Sequence, residues 1–308
     1  MKRVVILLGP TGVGKTGASI LLAKELDTEI ISADSMQIYR GMDIGTAKPS
    51  IGERSGVVHH MIDIVDPSQS FSTGRFIEEI TGIIGDLHAR GKIPLIVGGT
   101  GLYIKAITRG IFSGPSADWT LREELREREE REKGALYAYL SEIDPDAASR
   151  IEPNDSRRII RAIEVCVKSG HRISTLQERM TSPLPYDFLK IGLTRERGEL
   201  YGLIERRVDA MIEAGLAGEV ERLLLRSPDR TPLQAIGYKE LAACLRGEMS
   251  LEEAVALIKR NTRRYAKRQY TWFRKEEDIR WVDITGLFGS AEVFRRITEV
   301  VGLPGSLR

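Results

Sequence analysis

From Arg3 the chain reads RVVILL, an apolar run with no polar position alternating through it. A strand with one face in water would alternate, so this run predicts a strand covered on both faces, as in a parallel sheet. A glycine-rich segment follows, and TGASILLAKEL then returns apolar residues at helical spacing. TEIISADS predicts a second strand ending in Asp34-Ser35, and HHMIDIVDP a third, stopped by Pro67. FSTGRFIEEITGIIGDLHARG opens on a Ser72/Thr73 cap and predicts an amphipathic helix to Gly91. IPLIVGGTGLYIKAI adds a buried strand, a Gly98-Gly99 turn and a new helix. Strands and helices in alternation predict a doubly wound α/β core.

The texture changes after Gly114-Pro115. TLREELREREEREK is almost wholly charged, with Glu124/Arg128 and Glu127/Arg131 at i,i+4, as on a solvated helix face. NDSRRIIRAIEVCVKSG continues the helical pattern, SPLPYD supplies two prolines as a hinge, and FLKIGLT predicts a strand returning to the sheet. The expected division is therefore a helical insertion over residues 111–185 within a core made of residues 1–110 and 186–308. The rest of that core is mainly helical and closes with a short strand at IRWVDI.

Composition narrows the function classes only a little. Of 308 residues, 42% are hydrophobic and 29% charged, an ordinary globular mixture. Lys and Arg number 46 against 44 Asp and Glu, so a polyanion site must come from local clustering rather than bulk charge. No apolar run reaches membrane-spanning length, and the opening MKRVVILL breaks at Gly9-Pro10, too early for a signal peptide. Two distant cysteines, Cys166 and Cys244, supply neither a zinc site nor a disulfide framework. A cytoplasmic protein without membrane association is expected. His59, His60, His88 and His171 have no metal-ligand spacing and receive no catalytic role.

The chemistry starts at GPTGVGKT, from Gly9 to Thr16, which fits G-x-x-x-x-G-K-[ST] between a strand and a helix. Gly9, Pro10, Thr11, Gly12, Val13 and Gly14 would wrap a phosphate chain in backbone N–H groups, with Lys15 adding a full charge. The Thr16 hydroxyl would be the protein ligand of a phosphate-bound Mg²⁺. A phosphohydrolase also needs a carboxylate ending a strand near that loop. IPLIVGGT ends in glycines and Thr100 instead, and Asp63 falls inside the predicted third strand. The outstanding carboxylate is Asp34, at the end of the second strand, read either as a turn residue or as a catalytic group.

A second cluster is basic. Between Lys259 and Lys275, KRNTRRYAKRQYTWFRK, eight of seventeen residues are basic and none is acidic, with Tyr265, Tyr270, Trp272 and Phe273 interleaved. Lys259/Arg263/Lys267 and Arg260/Arg264/Arg268 form adjacent i,i+4 rows, a positive face suited to a phosphate backbone. Arg157, Arg158 and Arg161 cluster on a helix of the insertion.

GPTGVGKT, ISADSMQIYRGMDIGTAKP, HHMIDIVDP, FS, GGTGLYI, NDSRRIIRAIEV, AIGYKEL and KRQYTWFRK occur in that order. Together they resemble the bacterial tRNA dimethylallyltransferases, also called tRNA isopentenyltransferases, from Gly9 to about Lys275. The resemblance implies a P-loop NTPase-like parallel-sheet core with an all-helical insertion. It implies that the ATP-type loop holds dimethylallyl diphosphate, and that the dimethylallyl group goes to N6 of the adenine 3′-adjacent to a tRNA anticodon. Arg207 then joins the loop on the diphosphate, Asp34 is the base, and Thr100 is a second catalytic group that otherwise reads as a helix N-cap.

By the same resemblance the tRNA anticodon stem-loop is held by Asp34, Ser35, Met36, Gln37 and Thr100. Arg122, Arg157, Arg158, Ile159, Ile160 and Arg161 join them from the insertion, and Arg264, Lys267, Arg268, Gln269, Trp272 and Arg274 from the basic helix. No obligate protein partner is implied. Two other readings stay open from the residues: a P-loop kinase acting with ATP on a small metabolite, and a non-enzymatic RNA-binding regulator, which would leave the P-loop and Asp34 without a use.

Overall fold

The β1 strand (Arg3–Leu8) is buried from Val4 onward, as an apolar run flanked on both sides requires. It is followed by α1 (Lys15–Glu25), β2 (Ile30–Ala33), a one-turn α2 (Ile51–Arg54), β3 (His59–His60), α3 (Thr73–Ala89), β4 (Leu95–Gly98) and α4 (Gly101–Thr108). Helices α5 (Trp119–Arg131), α6 (Ala135–Ile143), α7 (Pro145–Ala148), α8 (Ser156–Ser169) and α9 (Ile173–Met180) come next. The chain closes through β5 (Asp187–Thr194), α10 (Arg197–Glu213), α11 (Leu216–Leu224), α12 (Arg230–Leu233), α13 (Tyr238–Leu245), α14 (Leu251–Phe273), β6 (Ile279–Asp283) and α15 (Ser290–Val301). The structure is a computed structural model that describes residues 1–112 and 114–302. Ser113 and residues 303–308, assigned above to the insertion and the core, lie outside the described residues.

All six strands run parallel, in the order β3-β2-β4-β1-β5-β6. Register is what builds the site. Leu8 is level with Gly98, and Gly98 with Ala33. The loops leaving β1, β2 and β4 therefore emerge side by side at the carboxyl edge, where open α/β sheets place their ligands. On the outer side of β1, Leu8 is level with Gly192 of β5. One apolar core joins β1, β5, β6, α1 and α15 through Val5, Leu22, Ile191, Val282 and Ile297. A second packs Ile38, Tyr39 and Met42 against α10, α11, α13 and α14 through Val208, Val220, Tyr238 and Ile258.

The chain divides into two compact units, residues 1–105 with 185–308, and residues 106–184. These borders compare with the expected 110/111 and 185/186. The first falls within α4, ahead of the change in composition at Gly114-Pro115. Within its described residues the smaller unit is helical, with its own core of Leu125, Leu136, Leu140, Ile159, Ile160 and Ile163.

The third predicted strand is mostly absent. Only His59 and His60 pair with β2, after which Met61 and Asp63 take left-handed backbone (φ 63° and 58°). The N–H groups of Asp63, Ile64 and Val65 donate to the carbonyls of Gln37 and Ile38, so HHMIDIVDP folds onto the segment after β2 instead of extending the sheet. Asp63 is thereby turned away from phosphate chemistry and accepts from the Lys48 ammonium at 2.5 Å.

Candidate active site

The P-loop leaves β1 at Gly9 and delivers Lys15 as the first residue of α1. Gly12 (φ 78°) and Gly14 (φ 110°) hold left-handed conformations that a side chain would strain. Lys15 Nζ donates to the carbonyls of Gly9 and Pro10, each at 2.8 Å, so its charge sits over the loop. Burial pushes the Lys15 pKa down to about 8; the nearby Asp34 carboxylate pulls it back up, and Arg207 lowers it further. Burial likewise lowers the Arg207 pKa, again opposed by Asp34. Two cations and one carboxylate from three different elements thus act on one another inside a single cleft.

That cleft has a volume of about 380 Å³. Its polar lining comes from Thr11, Gly12, Gly14, Lys15 and Thr16 of the P-loop, the cations Arg195 and Arg207, and Asp34, Gln37, Tyr265 and Gln269. Ile30, Ala47, Pro49, Ile62, Val97 and Leu203 add apolar wall. The arrangement can hold an anion at the loop and a small apolar group beside it.

Asp34 uses its two oxygens differently. Oδ1 accepts from the N–H groups of Met36 (2.9 Å) and Gln37 (3.3 Å), which fixes the turn after β2. The turn reading therefore holds, and among the described residues Oδ2 has no hydrogen-bond partner. Thr100 lies beside Ser35 and is not among the residues that line the cleft. Its carbonyl accepts from Tyr103 and Ile104 N–H, the N-cap position of α4, while its hydroxyl accepts from Ser35 N–H at 3.1 Å. Burial raises the pKa of the Tyr265 phenol on α14, and the Asp34 charge adds to the rise.

Three buried residues carry roles that the sequence did not reveal, Arg195 and Gln269 in the cleft lining and Glu219 outside it. Arg195, 6% exposed, donates to the carbonyls of Val13 and Leu287 and pairs with Glu199, bracing the P-loop from behind. Glu219, 4% exposed, accepts from the N–H groups of Asp43 (2.9 Å), Ile44 (2.8 Å) and Gly45 (3.1 Å) and from the Tyr238 hydroxyl (2.5 Å). It holds the loop that brings Thr46 and Ala47 to the wall, and the carbonyls of those two accept from Gln37 Nε2. In sequence both are ordinary charges near amphipathic helices, and no spacing marks them. Gln269, expected at the RNA, is 4% exposed and faces the P-loop.

The basic helix is less uniformly free than its sequence suggests. Lys259 pairs with Asp209 at 2.6 Å and Arg263 with Glu205, both acids from α10. The compensating acids missing from the segment are thus supplied by a neighbour distant in sequence. Among the described residues Arg264, Lys267, Arg268 and Arg274 have no carboxylate partner and remain exposed. Trp272 is half-buried against Gly101. Phe273 is fully buried, a core residue rather than a stacking platform.

In the helical unit the predicted RNA residues separate into two kinds. Arg157 and Arg158 are exposed at the start of α8. Ile159 and Ile160 are 2% and 6% exposed and belong to the unit's core. Arg122 and Arg161 converge on the fully buried Glu164, which also accepts from Asp118 N–H at 2.7 Å. Those hydrogen bonds outweigh burial and hold the Glu164 carboxyl below its usual range.

β4 lies directly beside the P-loop strand, the place where a phosphohydrolase commonly carries its metal-binding carboxylate, and it ends in Gly98-Gly99-Thr100. Among the described residues no group of three or more His, Cys, Asp or Glu side chains could hold a metal ion, and no helix is long and apolar enough to cross a membrane.

Comparison with known proteins agrees with this geometry. A family model described as IPP transferase matches residues 37–276, and one described as isopentenyl transferase matches residues 2–64. The chain is 58% identical over 292 residues to a tRNA dimethylallyltransferase of Thermodesulfovibrio yellowstonii, covering 92% of this chain and 93% of the relative. It is 50% identical over 301 residues to one of Symbiobacterium thermophilum, covering 97% and 93%. Its fold is similar to that of the full-length tRNA isopentenylpyrophosphate transferase of Bacillus halodurans (TM-score 0.73, 45% identity, 98% and 96% covered). It is also similar to a eukaryotic dimethylallyltransferase solved acting on tRNA (TM-score 0.78, 32% identity, 93% and 75% covered).

Proposed function

The chain belongs to the tRNA dimethylallyltransferase family, its activity is prenyl transfer to tRNA, and we propose that its cleft performs that transfer from dimethylallyl diphosphate to N6 of the adenine 3′-adjacent to the anticodon. The observation that carries this reading is the meeting of Lys15, Arg207 and Asp34 in one cleft, beside a strand that ends without a carboxylate. A kinase acting on a small metabolite is not favoured, since the relatives are prenyltransferases.

The bond that breaks is carbon–oxygen. Diphosphate leaves from the allylic carbon with the electron pair, and Lys15, Arg207 and the loop amides are placed to offset its growing negative charge. The adenine amine forms the carbon–nitrogen bond and gives up a proton to Asp34 Oδ2, the oxygen that the turn does not use. Thr100, its hydroxyl fixed by Ser35 N–H, is the second polar group for the amine. Thr16, exposed in the loop, would hold a magnesium ion through its hydroxyl. Bound there, it would add positive charge to the leaving group. Arg264, Lys267, Arg268 and Arg274 supply cations for the phosphates of the anticodon stem-loop, and Arg157 and Arg158, exposed at the start of α8 with Arg158 beside Asp155, suit the same task. The reaction belongs in the cytoplasm, where tRNA is processed.

Incubation with labelled dimethylallyl diphosphate and unmodified tRNA, followed by digestion to nucleosides, tests this directly. Label is expected in a modified adenosine. Label absent from the RNA, with phosphate transferred from ATP to a small molecule, would restore the kinase reading.

A further inference from the structure

Gln269 lies on the most basic segment of the chain, yet its side chain points away from solvent and is 4% exposed. Its Oε1 accepts from Thr11 N–H in the P-loop at 2.8 Å. Its Nε2 donates to the Gly99 carbonyl, in the turn after β4, at 2.7 Å. The next residue is Thr100, whose carbonyl accepts from Tyr103 and Ile104 N–H at the start of α4 and whose hydroxyl accepts from Ser35 N–H. A Cβ on Gly99 would stand 2.4 Å from Gln269 Nε2, so that glycine makes the room the carboxamide occupies. One planar group therefore spans the loop that grips the diphosphate and the turn that carries Thr100.

We propose that Gln269 is a positioning residue for prenyl transfer: it sets the separation of the P-loop from the Gly99–Thr100 turn, and so of the leaving group from the adenine amine. The inference rests on the prenyl-transfer reading above and assigns Gln269 to the catalytic geometry instead of to the RNA. The chemistry of the bridge is specific. A carboxamide donates at one end and accepts at the other, which these two partners require. Glutamate accepts only, so it would keep Thr11 and set oxygen against the Gly99 carbonyl. Leucine fills the space and makes neither bond. An amine and an allylic carbon must approach within a narrow range, and a misplacement of about 1 Å can cost about 10²-fold in rate.

The experiment compares wild type with Gln269→Glu and Gln269→Leu in four measurements. They are thermal unfolding, equilibrium binding of unmodified tRNA, equilibrium binding of inorganic pyrophosphate, and single-turnover transfer at saturating tRNA and dimethylallyl diphosphate. Expected are unchanged tRNA affinity, weaker pyrophosphate binding, and a single-turnover rate lower by about 10- to 100-fold in the folded protein. A lowered unfolding temperature with a wild-type rate would make Gln269 a packing residue and overturn the proposal. Reduced tRNA affinity with a wild-type rate at saturation would return it to the RNA and equally overturn it. If neither variant folds, Gly99→Ala displaces the same carboxamide from the other side, and a wild-type rate there refutes the positioning role. Failure of the wild type to transfer at all would instead defeat the reading on which the inference rests.

Discussion

Asp34 is tied to the backbone through one oxygen and open through the other, and that division makes a sharp prediction at the level of a single atom. Asp34→Asn can keep the carbonyl oxygen on Met36 and Gln37 N–H while replacing the free oxygen by an NH₂ that cannot take a proton. Single-turnover transfer should fall by about 10²–10⁴-fold, the usual worth of a positioned base, while tRNA binding changes little. A preserved rate with collapsed tRNA affinity would make Asp34 a recognition residue. Lys15 predicts a pH dependence. Its ammonium loses a proton near pH 8 in the fold against 10.5 in an exposed chain. Between those values the unfolded chain holds the extra proton, so this residue's contribution to stability rises with pH while its attraction for an anion falls. Affinity for dimethylallyl diphosphate should therefore weaken as pH rises through about 8 in the wild type, beyond any ionisation of the ligand, and Lys15→Met should lack that component.

Helix α14 shows what sequence can and cannot say about an element. Its charge spacing was legible, because i,i+4 rows follow from the helical repeat. Which of those charges remain available was not, because Asp209 and Glu205 approach from α10 only in the folded protein. Neutralising Arg264 and Arg268 should reduce the salt slope of tRNA binding by roughly 0.7–0.9 log units for each phosphate left without its cation. Neutralising Lys259 and Arg263, already paired, should change it less; equal slopes for the two double variants would contradict this ranking. In α8 the spacing of Arg157, Arg158 and Arg161 was equally legible. Burial of Glu164 was not, and it converts Arg161 and Arg122 into partners of a buried carboxylate. Glu164→Ala should destabilise the helical unit by about 3 kcal/mol or more, read by thermal or urea unfolding, since it leaves two cations facing an empty site.

Across the whole molecule, the elements that carry the site were legible because their patterns are local: an apolar run, a glycine-rich turn, a cap. The short β3 was misread because HHMIDIVDP is apolar enough for a strand, while its hydrogen bonds go to Gln37 and Ile38. The roles of Gln269, Arg195 and Glu219 depend on segments brought together by the sheet and could not be seen along the chain. The sheet order sets β4 and its glycines beside the P-loop strand, and in the proposed mechanism the phosphate grip serves a departing diphosphate. Dimethylallyl diphosphate carrying a heavy-oxygen label at the bridging position, reacted with unmodified tRNA, reads this directly. Carbon–oxygen cleavage delivers all of the label in the released diphosphate. Label retained on a dimethylallyl product, with phosphate passed elsewhere, would mean that a phosphorus–oxygen bond breaks and would contradict the mechanism.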